Sequence, residues 1–293
     1  MLIIKSIIKN NLYYLKNILS FISFFFDGYF VKFYKKQKLF YYKTFYGVFC
    51  YSKFIIRPEK FISQNYNIFF KYYIPKKKDI VIELGSGIGT ETLLLSKLVG
   101  DKGKVYAIEA DPEIFKLLKK NINENNLKNV TLLNFAITNK RGIVNFTQSQ
   151  KLSKFDNWLG NLVHKNGKKK IKSISLMHII KKYKIKKINF LKCNIEGSEY
   201  PVIKSFFKSP SNIVINWCVS CHDFLKIKKM MTMKKIIKIF LKNNYKIKRD
   251  KLSYFIFGKY YLYAKFEKKY KKKLYIHSDK NHNKFKDFFK KIK

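Results

Sequence analysis

An apolar run that breaks into alternate glycines, Val81-Ile82-Glu83-Leu84-Gly85-Ser86-Gly87-Ile88-Gly89, constrains this chain more than any other feature. A short apolar run bounded by turn residues reads as a buried strand, and residues 79–84 fit one. Glycine adopts positive φ without strain and lets backbone approach a ligand with no Cβ in the way, so the glycines read as a tight turn. Thr90–Val99 reads as the helix that follows. A second apolar run ends in Ala107-Ile108-Glu109-Ala110-Asp111-Pro112, where Asp111 suits a helix N-cap and Pro112 the first helical position. The alternation continues, with strands expected at 79–84, 104–109, 130–136, 188–195 and 212–220 and helices at 90–99, 112–125, 173–183, 199–207 and 228–243. Such a pattern implies an α/β fold built on a doubly wound, mostly parallel sheet. Lys140-Arg141-Gly142 reads as the turn of an inserted hairpin, and Tyr245–Arg249 with Tyr254–Lys265 as a closing antiparallel pair.

Charge selects the ligand class. A dinucleotide fingerprint needs G-x-G-x-x-G and a helix N-terminus that receives a pyrophosphate, but Thr90 stands where the third glycine belongs and Glu83 would repel phosphate. S-adenosylmethionine carries a sulfonium and an ammonium against one carboxylate, so its net positive charge is compatible with Glu83. Glu109 lies 24 positions after Gly85 and closes the second strand, where an acid can accept from both ribose hydroxyls.

The 293 residues divide into an N-terminal aromatic and basic extension with helical character (1–60), a main domain (61–265) and a lysine-rich tail (266–293). Lys and Arg number 63 against 18 acids, a net charge of +45 that suggests nucleic acid or an anionic membrane. Only Arg57, Arg141 and Arg249 are arginines, whereas base and phosphate recognition leans on the guanidinium fork, so the composition disfavours nucleic acid. On so basic a background the acids are informative, and eight of the 18 fall between residues 79 and 124. The apolar patch Ile18–Phe26 is nine residues long, against about 20 needed to span a bilayer. One or two helices packed on the domain are expected there, with a membrane-surface helix as the alternative. Cys218-Val219-Ser220-Cys221-His222 matches the haem-attachment pattern, but its cysteines end a strand where residues three apart face opposite sides. No second cysteine pair completes a zinc site, and no metal is expected.

A second constellation follows the fourth strand, Leu191-Lys192-Cys193-Asn194-Ile195-Glu196-Gly197-Ser198-Glu199. Polar residues at the carboxyl end of a strand line the crevice where open α/β sheets bind ligands, and Gly197 permits a sharp exit. Asn194 and Glu196 share one face, while Glu199 suits the first turn of a helix either by compensating its dipole or by acting in the site. His222 follows the fifth strand into the same crevice and is the expected base for a hydroxyl acceptor, its pKa near the working pH.

These residues resemble the FkbM-type methyltransferases, S-adenosylmethionine-dependent enzymes that methylate hydroxyl groups. The likeness runs from about residue 60 to 225. It rests on Glu83-x-Gly85-x-Gly87-x-Gly89, on Gly103-Lys104-Val105-Tyr106-Ala107-Ile108-Glu109 with Pro112, on Asn129-Val130 and Ala136, and on Leu191-Lys192-x-x-Ile195-Glu196-Gly197-x-Glu199. It implies a class I, Rossmann-like fold in which Glu83, Gly85, Ser86, Gly87 and Gly89 hold the methionine end of the cofactor. Glu109 would take the ribose and Ala136 would lie by the adenine. Asn194, Glu196, Glu199 and His222 would face the acceptor. The family usually has aspartate where this chain has Asn194, and an amide cannot serve as a base, which leaves Glu196 or His222. The expected function is O-methylation of a sugar, glycan or similar small acceptor by a cytoplasmic enzyme, with peripheral association at the anionic inner face of a membrane. The alternatives are an RNA methyltransferase, motivated by the charge, and a cofactor-binding scaffold without catalysis, motivated by Asn194.

Overall fold

Within the first 60 residues, the helix expected at the apolar patch is present, and alternation of aromatic and lysine side chains adds strands after it. The computed structural model describes residues 12–27, 30–148, 161–163, 167–208, 212–250, 258–268 and 274–277. Helix α1 (Lys16–Asp27), over the apolar patch expected to be helical, is followed by an antiparallel meander of β1 (Lys32–Lys36), β2 (Leu39–Thr44) and β3 (Gly47–Tyr51). Exposed Lys32 and Lys35 flank buried Phe33, and Gln37 turns the chain at φ +54°. Aromatic side chains fill a pleated, half-buried surface better than a helix face, and Tyr42 packs against Phe33, Phe49 and Phe54. Helix α2 (Pro58–Phe69) starts on a proline, whose fixed φ suits the first helical position.

The main sheet then unfolds in the expected alternation. Strand β4 (Ile80–Leu84) leads to α3 (Thr90–Val99), β5 (Lys104–Glu109) to α4 (Pro112–Glu124), and β6 (Val130–Asn134) ends the first half. The carboxylate of Asp111 caps α4 by accepting from Glu113 N at 2.8 Å. The third expected strand, 130–136, breaks at Phe135. Strand β7 (Ala136–Thr138) leaves for a small separate sheet with β8 (Gly142–Gln148), β9 (Asn161–Val163) and β10 (Lys169–Ser175), in the order β7-β10-β8-β9. Strand β10 occupies the beginning of the helix expected from 173, because Ile171 and Ser173 point inward and Lys170 and Lys172 outward with period two. Helix α5 (Leu176–Lys182) starts only where the Ser175 hydroxyl accepts from His178 N at 3.2 Å.

The second half adds β11 (Ile188–Cys193), α6 (Glu199–Phe206), β12 (Val214–Ser220), α7 (Met233–Lys242), β13 (Tyr245–Asp250), β14 (Tyr261–Phe266) and β15 (Leu274–His277). Helix α7 begins later than the expected 228 because the Asp223 carboxylate accepts from Thr232 N and Met233 N at 3.1 and 3.2 Å and so caps it there. The expected closing pair is β13 with β14, although the residues from 251 to 257 lie outside the described set. The lysine-rich tail contributes β15 parallel to β13.

The eight strands run in the order β15-β13-β14-β12-β11-β4-β5-β6, with β12 to β6 parallel and β14 antiparallel to both its neighbours. Successive residues feed opposite cores: Val81, Val105 and Ala107 pack with α3, α4 and the N-terminal meander, while Ile82, Tyr106 and Ile108 pack with α5, α6 and α7. The chain reverses its winding between β4 and β11, and this opens a crevice at their carboxyl ends.

Candidate functional site

Four loops converge on that crevice, those after β4, β5, β11 and β12. The first is Gly85–Gly89, and all three of its glycines have positive φ (+77°, +55° and +91°). Gly85 is required by contact as well as by conformation: a Cβ there would stand 1.9 Å from the carbonyl oxygen of Asn194, so a side chain would drive the two loops apart. The loop is tied to β5 by Gly85 N and Ser86 N, which both donate to the Ile108 carbonyl at 3.0 Å. The Ser86 hydroxyl turns inward to the Glu83 carbonyl at 3.3 Å and the residue is fully buried, so its expected contact with the cofactor falls to the loop backbone.

Glu109 is held in an oriented pose. Gly87 N donates to Oε2 and Asp111 N to Oε1, each at 2.9 Å, and each oxygen retains a second lone pair. Asn134 fixes the backbone beneath by donating to the carbonyls of Glu109 and Ala110 at 2.9 and 3.1 Å. Burial pushes the Glu109 carboxyl up to about 7, against the pull of those N–H bonds. Ala136 packs against Phe146 and Ile171 in the core of the small sheet, with Ala110 beside it, so its side chain makes a wall rather than a ligand contact.

Glu83 departs from the expectation. It is fully buried, with Oε1 accepting from Lys192 Nζ at 2.9 Å and Oε2 from the Thr92 hydroxyl at 2.6 Å. Lys192 stands opposite Glu83 in the neighbouring strand, donates also to Glu91 at 3.3 Å and to the Gly85 carbonyl at 3.2 Å, and lies 4.4 Å from the Phe69 ring centre. Burial raises the Glu83 pKa against the attraction of Lys192, and burial opposes the Lys192 charge, but the two carboxylates hold that pKa above its ordinary value. The Glu83 side chain, expected at the cofactor, thus lies beneath the glycine loop with no exposed surface.

The residues expected to face the acceptor form an acidic cluster around a buried imidazole. His222 Nε2 lies 3.2 Å from Glu196 Oε2 and Nδ1 lies 3.1 Å from Glu199 Oε1, ion-pair distances without in-line hydrogen-bond alignment. Glu199 Oε1 also accepts from Ile195 N at 2.9 Å. Burial disfavours the imidazolium, yet the carboxylates of Glu196 and Glu199 raise the His222 pKa well above its usual value. His222, expected as the base, is thus flanked by two carboxylates. Glu196 stands at φ +52° in the left-handed region, followed by Gly197 at +92°, and is more exposed than its two partners. A non-glycine residue at positive φ is strained, and such strain concentrates at functional sites. Among the described residues the Asn194 side-chain amide has no hydrogen-bond partner, while Asn194 N donates to the Leu84 carbonyl at 3.0 Å. Among the described residues no group of three or more His, Cys, Asp or Glu side chains is arranged to hold a metal ion.

Sequence reasoning found the loops and missed what braces them. Lys192, Asn121 and Asn134 are the omissions. Buried Asn121 donates to the carbonyls of Ile88 and Cys50 at 2.8 and 3.2 Å and accepts from Cys50 N at 2.7 Å, joining the glycine loop to β3. For Lys192 and Asn134 the available signal was a charged or amide residue inside an otherwise apolar run.

Comparison with known proteins follows this geometry. The model of the methyltransferase FkbM domain matches residues 83–247, more than half of the chain. A "Probable cobalt-precorrin-6B C(15)-methyltransferase (decarboxylating)" of Sulfolobus acidocaldarius is 40% identical over 52 residues, 18% of this chain and 27% of that protein, so the match spans less than a third of the relative. Among solved structures, a methyltransferase FkbM from Methylobacillus flagellatus is 16% identical, covers 70% of this chain and 48% of its own, and has a TM-score of 0.44. Fibrillarin of Aeropyrum pernix, in complex with natively bound S-adenosyl-L-methionine, is 11% identical over 80% of this chain and 97% of its own, with a TM-score of 0.39.

Proposed function

The chain belongs to the FkbM methyltransferase family, and from that premise we propose that it transfers a methyl group from S-adenosylmethionine to a hydroxyl of a sugar, glycan or similar small acceptor. The observation that carries this reading is the pairing, across one crevice, of the oriented Glu109 carboxylate with the Glu196–His222–Glu199 cluster. The residues present fit the cofactor. Glu109 offers lone pairs to a ribose diol, the glycine loop offers backbone without Cβ atoms, and the crevice acids suit a ligand of net positive charge.

When bound, S-adenosylmethionine supplies a methyl carbon activated by its sulfonium. Glu196 would serve as the base that takes the proton of the acceptor hydroxyl. His222, between Glu196 and Glu199, positions both carboxylates. Asn194 orients the acceptor through its amide, which donates and accepts but does not take a proton. No helix among the described residues is long and apolar enough to cross a membrane. We place the enzyme in the cytoplasm, peripheral to the inner face of the membrane, where a lipid-linked glycan acceptor would be met.

Calorimetric titration with S-adenosylhomocysteine, followed by methyl uptake assays on hydroxylated sugars, tests the reading. Glu196→Gln is expected to lower turnover about 100-fold or more while leaving the affinity for S-adenosylhomocysteine unchanged. Absence of binding to wild type would refute the cofactor assignment. Methyl uptake into RNA and not sugar would replace the acceptor class.

A further inference from the structure

The meander and α1 carry an outer face that the crevice does not use. Along α1 and the 3-10 turn before it, Leu19, Ser20 and Ser23 point inward, while Tyr14, Ile18, Phe21 and Phe24 are at least half exposed. Their spacing of three to four residues places them in one stripe. Phe30 is 58% exposed and lies with its ring 6.0 Å from those of both Phe21 and Phe24. Register continues the patch onto the sheet. Lys32 faces Lys43 across β1 and β2, and Phe30, two residues before Lys32, and Phe45, in the turn after β2, lie at that same end of the pair. Phe45 is 62% exposed.

Two exposed lysines directly opposite each other repel, and an apolar patch of this extent is costly in water. An anionic apolar partner relieves both. Charge supports the same partner, since residues 1–58 carry nine lysines and Arg57 against a single acid, Asp27. We propose that Tyr14, Ile18, Phe21, Phe24, Phe30 and Phe45, with Lys32 and Lys43, form a docking surface for an anionic lipid bilayer. The aromatic rings enter the headgroup–acyl boundary and the lysines meet lipid phosphates. The inference deepens the peripheral placement proposed above, by assigning it to a particular surface.

Flotation of the full chain with phosphatidylcholine vesicles, with and without phosphatidylglycerol, tests it beside titration with S-adenosylhomocysteine. Wild type is expected to float with the anionic vesicles and not with the neutral ones. Phe21→Ser combined with Phe24→Ser is expected to weaken that binding tenfold or more, from the loss of two buried aromatic side chains, and to leave S-adenosylhomocysteine affinity intact. Lys32→Gln with Lys43→Gln is expected to reduce the salt sensitivity of binding. The proposal is overturned if wild type ignores anionic vesicles, if the phenylalanine variant binds them as well as wild type does, or if wild type is a dimer that this variant dissociates, which would make a second copy the occupant. Because cofactor affinity is read separately, failure here leaves the methyltransferase assignment to stand or fall by its own titration.

Discussion

At the scale of single residues, the site is decided by which lone pairs and charges are already spent. Glu83 and Glu109 both end parallel strands and both accept one bond at each oxygen, yet Glu83 is fully buried with its charge met by Lys192, while Glu109 is half-buried and held by backbone N–H alone. The raised pKa of Glu109, about 7, has a consequence for stability. The folded state binds this proton more tightly than the unfolded chain, whose carboxyl titrates near the usual 4.5. Stability from this group is therefore complete below that value and is lost as pH rises through about 7, by up to about 3 kcal/mol. Urea midpoints measured across this window are expected to show that decline in wild type and a flatter profile in Glu109→Gln. Equal slopes in the two proteins would contradict the assigned burial.

At the scale of elements, one buried lysine joins four of them. Lys192 of β11 contacts Glu83 of β4, Glu91 of α3, the glycine loop and Phe69 of α2. Removing a lone partner from a buried ion cluster leaves uncompensated charge, which costs about 3–5 kcal/mol, whereas removing partners together with apolar replacement is much milder. Lys192→Met is expected to destabilise the protein by about that amount in denaturant unfolding. Adding Glu83→Leu should recover part of the loss, since the double variant leaves one buried acid fewer, and Glu91 keeps its bond from Asn65 at 2.7 Å. Strict additivity of the two substitutions would show that they do not interact. Boundaries were legible where a local device set them, as with Asp111 and Pro112 at α4. They were misread where the device came from afar: Asp223 delays α7, and β8 and β7 pull residues 169–175 into a strand.

At the scale of the whole molecule, a net charge of +45 is spread over a lysine surface while the charges that matter to the site are buried in pairs. Self-repulsion among exposed lysines is screened by salt and buried pairs hardly at all, so thermal stability is expected to rise as ionic strength increases from low to physiological and beyond. A melting temperature that falls with salt would mean that surface pairing, not repulsion, dominates. The sequence alone determined the alternating α/β architecture, the glycine turn, the acid at the second strand end and the E-G-x-E turn, because each depends on periodicity or on chemistry within a few residues. Only the tertiary structure decided that Glu83 pairs with Lys192 beneath the glycine loop, that His222 lies between two carboxylates, and that the first 60 residues include a meander sharing a core with the sheet. The physical reason is that burial, opposing charge and strand register arise from partners far apart in the chain: 109 residues separate Lys192 from Glu83, and 71 separate Asn121 from Cys50.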